Sequence, residues 1–117
     1  MDLSGKVALV TGSARGIGKA IVLKLAGAGA DIVINDIEPA AEAMEETAGE
    51  VRALGRQALT VTADVSSAED VNRMIDTVIK ECGRIDILVN NAGVTRDQLV
   101  MRMTDEEWDT VLDIDLK

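Results

Sequence analysis

Residues 11–18, Thr11-Gly12-Ser13-Ala14-Arg15-Gly16-Ile17-Gly18, set three glycines between a short apolar run and an amphipathic stretch. Such a loop can hold a pyrophosphate: the chain turns sharply, the anion reaches the backbone, and a helix packs closely on the sheet with no Cβ in the way. A helix starting at Gly16 or Ile17 would turn unpaired N–H groups and its positive dipole end toward that anion. A plain strand-to-helix turn uses the same glycines, so the loop gains weight only from its surroundings. Asp36 closes the next apolar run, where a carboxylate can accept hydrogen bonds from the hydroxyls of an adenosine ribose. Read alone, Asp36 is equally a solvated acid at the start of a helix. It would repel a 2′-phosphate, whereas Arg15 could neutralise one. NAD is expected ahead of NADP.

Other chemistry is excluded by absence. The 117 residues contain no His, no Tyr, no Phe, one Trp and one Cys. Without His there is no Ser-His-Asp triad, Cys-His pair or His-ligated metal, and a lone Cys82 rules out an intrachain disulfide and a Cys-rich zinc site. No metal ligand and no catalytic residue is assigned, and proton chemistry would fall to Asp, Glu or Lys. Hydrophobic residues make up 47% and aromatic ones 1%, so the core must be aliphatic. With 12 basic against 21 acidic residues the net charge is −9, which repels a duplex or an anionic bilayer; neither nucleic acid nor membrane is an expected partner. The amino terminus lacks the basic-then-apolar order of a signal peptide, and Lys24 interrupts the longest apolar stretch. A soluble, cytoplasmic protein is expected, and one free Cys suits a reducing compartment.

The positioning elements are legible as two alternating periods. Apolar runs at Val7-Ala8-Leu9-Val10, Ile32-Val33-Ile34, Ala58-Leu59-Thr60-Val61 and Ile85-Asp86-Ile87-Leu88-Val89 are short, rich in β-branched residues and mostly apolar on both faces, as strands of a doubly covered parallel sheet are. Between them lie helical stripes of Ile17, Ala20, Ile21, Leu25 and Ala28, then Ala40, Met44, Thr47, Val51 and Leu54, then Val71, Ile75, Val78, Ile79 and Cys82. Gly29, Gly55 and Gly83 follow as stops, and Pro39 marks the start of the second helix. A fourth helix is predicted from Met103, with Thr104 and Glu107 as a capping box and Met103 and Trp108 as a hydrophobic staple. Its stripe would be Trp108, Val111, Leu112 and Leu116, interrupted by Asp115. The order βαβαβαβα with right-handed crossovers predicts one α/β domain over residues 1–117, a doubly wound parallel sheet of strand order 3-2-1-4. That is a half-Rossmann arrangement: one nucleotide-binding half and the first strand beyond the switch point.

Four motifs then fall in order: Thr11-Gly12-x3-Gly16-Ile17-Gly18, Asp36 with Asn35, Asp64-Val65 after the third strand, and Asn90-Asn91-Ala92-Gly93 after the fourth. With the stretch from Thr95-Arg96-Asp97 through Met101-Arg102-Met103 to Glu106-Glu107-Trp108, the chain resembles the short-chain dehydrogenase/reductase family over essentially its whole length, especially the 3-oxoacyl-acyl-carrier-protein reductases. The resemblance implies that Gly12, Ser13, Arg15, Gly16, Ile17 and Gly18 line the pyrophosphate of a nicotinamide dinucleotide and that Asp36 holds the adenine ribose. It implies further that Asp64 and Val65 flank the adenine, and that Asn90, Ala92 and Gly93 approach the cofactor ribose and the central sheet. Without the resemblance, Asp64-Val65 is a strand end before a Ser-capped helix and residues 90–93 are a turn.

The family's hydride transfer is completed by a Tyr-x3-Lys pair with a Ser and an Asn. This chain has no Tyr, ends at Lys117, and carries Asp115 where the Asn is expected. The expectation is therefore a module that binds the adenosine-diphosphate portion of NAD without catalysis by itself. The alternative is a structural half-domain whose nearly uncharged fourth strand pairs through its open edge. That pairing would be a homodimer through the fourth strand or last helix, or complementation by a carboxyl-terminal half. A working enzyme would need the rest of its site in trans or another acid such as Asp97 or Asp115, for which no sequence feature speaks.

Overall fold

The computed structural model describes residues 2–91 and 110–113. Its strands are β1 (Val7–Val10), β2 (Asp31–Asp36), β3 (Ala58–Thr62), β4 (Ile87–Asn90) and β5 (Thr110–Asp113), and its helices α1 (Gly16–Gly27), α2 (Ala41–Ala53) and α3 (Ala68–Cys82). A 3-10 turn at Glu38–Ala40, with Pro39 supplying its fixed φ, leads into α2. The strands form one sheet in the order β3-β2-β1-β4-β5, every neighbouring pair parallel. The expected order 3-2-1-4 is thus the observed one for the first four strands.

Alternation along each strand divides the core into two layers. Ala8, Val10, Ile32, Ile34, Ile87 and Val89 point to the face covered by α1 and α2, where they meet Val22, Leu25, Met44 and Val51. Val7, Leu9, Val33 and Leu88 point to the opposite face, where α3 supplies Val71, Met74, Ile75 and Val78. The period-2 alternation of the strands thus needs two helical covers, and the crossovers supply them. β4 begins at Ile87, later than the apolar run, because the buried Asp86 uses its Oδ2 to accept the Val7 N–H at 2.9 Å. Arg84 Nε in turn donates to Asp86 Oδ1 at 2.9 Å. Among the described residues no helix is long and apolar enough to cross a membrane.

The stripe of α1 is rotated from expectation, and that of α2 holds except at its last residue. Ile17 is 56% exposed and Leu54 49% exposed, whereas the buried face of α1 is Gly18, Val22, Leu25 and Ala26. The rotation of α1 is set by its first turn, since Gly18 must lie against the preceding loop and the residues one and two turns later follow it onto the sheet. In α2 the buried set is Met44, Thr47, Ala48 and Val51, and Leu54 falls past the last turn as the C-cap.

The larger correction concerns residues 110–113. The sequence places them in a fourth helix, but they form β5, paired Ile87↔Thr110, Leu88↔Val111, Val89↔Leu112 and Asn90↔Asp113. A fourth strand left at the edge would present a row of unpaired backbone groups beside apolar side chains. The first three residues in the segment, Thr110, Val111 and Leu112, are β-branched or apolar and suit a strand, and the ladder outweighs the local helix signal. The expectation that β4 is an open edge falls with it. The proposed capping box, the staple and Asp115 lie outside the described residues.

β3 forms the other edge. Ile32 N–H donates to the Gln57 carbonyl, so by the two-residue period the carbonyls of Ala58, Thr60 and Thr62 point outward. Arg52 from α2 donates to Ala58 O at 2.9 Å and Arg73 from α3 to Thr62 O at 3.2 Å. These guanidinium groups cover and charge an edge that would otherwise template pairing with another chain. Replacing both, Arg52→Ala with Arg73→Ala, is expected to make the mass measured by light scattering rise with concentration while the dilute chain keeps its circular dichroism spectrum. An unchanged mass at all concentrations would refute this role.

Candidate functional site

A cleft of about 570 Å³ opens at the carboxyl ends of β1, β2 and β3, walled by Gly12, Arg15, Asp36, Ile37, Pro39, Val65 and Asn91 among others. Its floor is the loop between β1 and α1. Gly12 and Gly16 both have positive φ, 61° and 64°. Gly18 has another duty: an added Cβ would overlap the Gly12 carbonyl oxygen and lie 2.6 Å from Asn91 Nδ2 and 2.8 Å from Ser13 Cα. The glycine spacing therefore places the helix directly on the loop.

The loop is tied down by buried polar groups. Ser13 Oγ donates to Val10 O at 2.7 Å and accepts the Asn35 N–H at 3.3 Å, while the Ser13 N–H donates to Asn35 O at 2.9 Å. Asn91 donates its backbone N–H to Thr11 Oγ1 and its Nδ2 to Gly12 O, each at 3.0 Å. Thr47 Oγ1 reaches from α2 to Ala14 O at 2.8 Å. Asn35, buried near the carboxyl end of β2, donates through Nδ2 to Val61 O at 3.1 Å and Ala63 O at 3.2 Å. Most of these bonds join the carboxyl ends of neighbouring strands, and Thr47 ties in α2, so the buried polar groups cross-link the cleft wall.

The amino end of α1 differs from that of α3. Ser67 caps α3 by accepting the Asp70 N–H at 3.2 Å, and Glu69 and Asp70 lie in its first turn. Arg15 at the α1 N-cap makes no side-chain cap bond, and the first turn holds no acid. An uncapped helix end of this kind favours an anion through its dipole and first N–H groups.

Asp36 lines the same cleft, next to the loop that leads into this helix end. Its Oδ2 accepts the Ala14 N–H at 3.1 Å and its Oδ1 the Ile37 N–H at 2.9 Å, which fixes the carboxylate while each oxygen keeps a free lone pair. Asp64 is exposed; the Ser66 hydroxyl, 2.6 Å from its Oδ1, and the Ser66 N–H hold its carboxyl below the usual carboxylate range. Val65 is buried and forms part of the wall.

Of the residues singled out from the sequence, Gly12, Arg15, Asp36, Asp64 and Val65 come together on the cleft wall. Gly16 and Ile17 sit exposed at the mouth of α1, and Gly18 is the buried packing contact. Ser13 and Asn90 are buried behind the wall, the latter accepting from Thr11 Oγ1 at 3.4 Å; the Ser13 hydroxyl is spent on strand ends and does not line the cleft. Ala92 and Gly93 lie outside the described residues. Asn35, Asn91 and Thr47 were not assigned from the sequence. A polar residue ending an apolar run is a signal for Asn35, but nothing local shows where the Thr47 hydroxyl goes, since its partner is 33 residues away.

Comparison with known proteins agrees with this fold. A family model described as short chain dehydrogenase matches residues 6–117. The chain is 45% identical over 114 residues to a 3-oxoacyl-[acyl-carrier-protein] reductase of Synechocystis sp., covering 97% of this chain and 46% of that protein. Among solved structures it is similar to a short-chain type dehydrogenase/reductase from Mycobacterium marinum, with a TM-score of 0.74 and 40% identity over 91% of this chain and 42% of the other. An NAD+-bound xylitol dehydrogenase matches with a TM-score of 0.75 and 40% identity over 80% of this chain and 35% of the other. The chain spans less than half the length of the curated relatives it matches.

Proposed function

Since the chain belongs to the short-chain dehydrogenase family, we propose that its cleft binds the adenosine-diphosphate portion of a nicotinamide dinucleotide, NAD in preference to NADP. The observation that carries this reading is the uncapped, acid-free amino end of α1 beside a cleft that is also lined by the fixed Asp36 carboxylate. The two groups present what a nucleotide diphosphate needs at its two ends: backbone donors for the pyrophosphate and an acceptor for ribose hydroxyls. The residues fit such a group, because the start of α1 is open: a Cβ added at Gly16 would meet nothing within 4 Å. Gly12, Arg15, Gly16, Ile17 and Gly18 would cradle the pyrophosphate, Asp64 and Val65 would bound the adenine, and Asn90, Ala92 and Gly93 would approach the inner ribose. Ser13 would serve by holding the loop.

When bound, the dinucleotide supplies the hydride carrier of an oxidoreductase. By the likeness to 3-oxoacyl-[acyl-carrier-protein] reductases, the substrate class would be a 3-oxoacyl thioester. The proton-transfer step of that chemistry draws on a Tyr, and this sequence has neither Tyr nor His. We therefore place these 117 residues as a cofactor-binding unit that does not turn over substrate by itself and works in a reducing, cytoplasmic compartment with a complementing segment. Self-association through β4 would first require β5 to leave that edge, so the assembly reading has lost the observation that motivated it.

Isothermal titration with ADP-ribose, NAD and NADP tests the proposal. ADP-ribose and NAD are expected to bind with similar affinity and NADP more weakly. No heat from ADP-ribose or NAD at millimolar concentration would overturn it, as would turnover of an acetoacetyl thioester by this chain alone.

A further inference from the structure

Ala14 is gripped from both sides. Its N–H donates to Asp36 Oδ2 at 3.1 Å and its carbonyl accepts from Thr47 Oγ1 at 2.8 Å. Ala14 is 2% exposed and Thr47 0% exposed, so water offers neither group an alternative partner. Thr47 lies on the buried face of α2 between Met44 and Val51, a setting where a valine of the same shape would pack equally well; the hydroxyl is explained only by its bond to the loop. One turn further along α2, Glu50 pairs with Lys19 of α1, so α2 holds both the loop and the helix that follows it.

The grip has a directional consequence. In a planar trans peptide the C=O of residue 14 and the N–H of residue 15 point in opposite directions, and the described residues contain no cis bond. Drawing the Ala14 carbonyl toward α2 turns the Arg15 N–H away from α2. Arg15 is the N-cap of α1, with extended backbone (φ −156°, ψ 177°), and it lines the cleft. Asp36 holds the preceding N–H in place from the sheet side. With both ends of the residue fixed, the loop cannot rotate that peptide without orphaning a buried carbonyl.

We infer that Thr47 is a positioning residue for the pyrophosphate of the bound dinucleotide: its hydroxyl orients the peptide between residues 14 and 15 so that the Arg15 N–H joins the donors at the start of α1. This rests on the nucleotide reading given above. Thr47 touches no part of the ligand. It acts on the half of the ligand that carries the phosphates and leaves the adenosine end to Asp36, Asp64 and Val65.

Calorimetric titration of the wild-type chain, Thr47→Val and Thr47→Ser with ADP-ribose and with adenosine, well below the melting temperature of each, separates the outcomes. Thr47→Val is expected to weaken ADP-ribose about tenfold while adenosine stays within about twofold, and Thr47→Ser to restore ADP-ribose to within about threefold of wild type. A merely structural role would weaken both ligands together or neither, and either result overturns the inference while leaving the nucleotide reading intact. If the wild-type chain binds neither ligand, the nucleotide reading itself fails. Should Thr47→Val not fold, amide NMR of the wild-type chain decides: the Arg15 N–H must move downfield on adding ADP-ribose and stay in place on adding adenosine, and an unmoved Arg15 N–H with ADP-ribose bound overturns the assignment.

Discussion

Gly18→Ala is expected to abolish ADP-ribose binding and to lower the unfolding free energy by about 1–3 kcal/mol, the usual cost of overpacking a tight contact. The added Cβ would overlap the Gly12 carbonyl oxygen and crowd Ser13 Cα at 2.8 Å and Asn91 Nδ2 at 2.6 Å. The first two are backbone and cannot swing aside. Asn91 could rotate, but only by releasing the bond from its Nδ2 to Gly12 O, which is part of what holds the loop. The helix must therefore lift from the loop, opening the spacing on which the donors of α1 depend. Urea unfolding and calorimetric titration measure the two effects. Gly49→Ala is the control: it lies within α2 with nothing within 4 Å of an added Cβ, and is expected to raise stability by about 0.5–1 kcal/mol through helix propensity. Equal stability of Gly18→Ala and wild type would refute the close approach.

Asp36→Ala is expected to weaken NAD by about tenfold to a hundredfold, since hydrogen bonds to a charged group contribute about 1.5–3 kcal/mol each. Two mechanisms combine. The ribose loses its acceptor, and the Ala14 N–H loses the Oδ2 that fixes it at 3.1 Å. NADP should respond differently. Removing the carboxylate removes the repulsion of a 2′-phosphate while Arg15, exposed on the same cleft, remains to attract it. The ratio of NADP to NAD affinity is therefore expected to rise, and titration of both cofactors into Asp36→Ala and Asp36→Asn reads it directly. Parallel loss of both cofactors would show that Asp36 serves the loop alone and does not discriminate.

The strands were legible because their residues are apolar on both faces and bounded by turns. Val7–Val10 is β1 as read, and the glycine loop falls between it and α1. That Asp36, Asp64 and Val65 would line one cleft was legible because each lies at or just past the carboxyl end of a strand, and a parallel sheet gathers those ends into one place. Asn35, Asn91 and Thr47 were harder to see. Their work is to satisfy carbonyls of other segments, Val61 and Ala63, Gly12, and Ala14, and a partner brought near only by folding leaves no trace in local spacing. Ile17 shows the same limit in reverse. Helical period put it on the buried stripe, but the contact between Gly18 and the loop rotated α1 and left it 56% exposed.

Residues 110–113 mark the division most clearly. Local sequence carries a helix signal there, and local sequence is all that periodicity can weigh. Pairing with β4, from Ile87↔Thr110 to Asn90↔Asp113, satisfies a row of backbone groups at once, and that gain exists only when the sheet is present. By itself the sequence determined the alternation of strands and helices, the order 3-2-1-4, the family, and the glycine and carboxylate positions proposed to hold a nucleotide. Periods and motifs are local, and chirality leaves few ways to wind them. Tertiary structure alone decided which face of α1 is buried, which strand closes the β4 edge, and which hydroxyl orients the loop. Each of those depends on groups distant in sequence competing for the same buried space or the same unpaired bond.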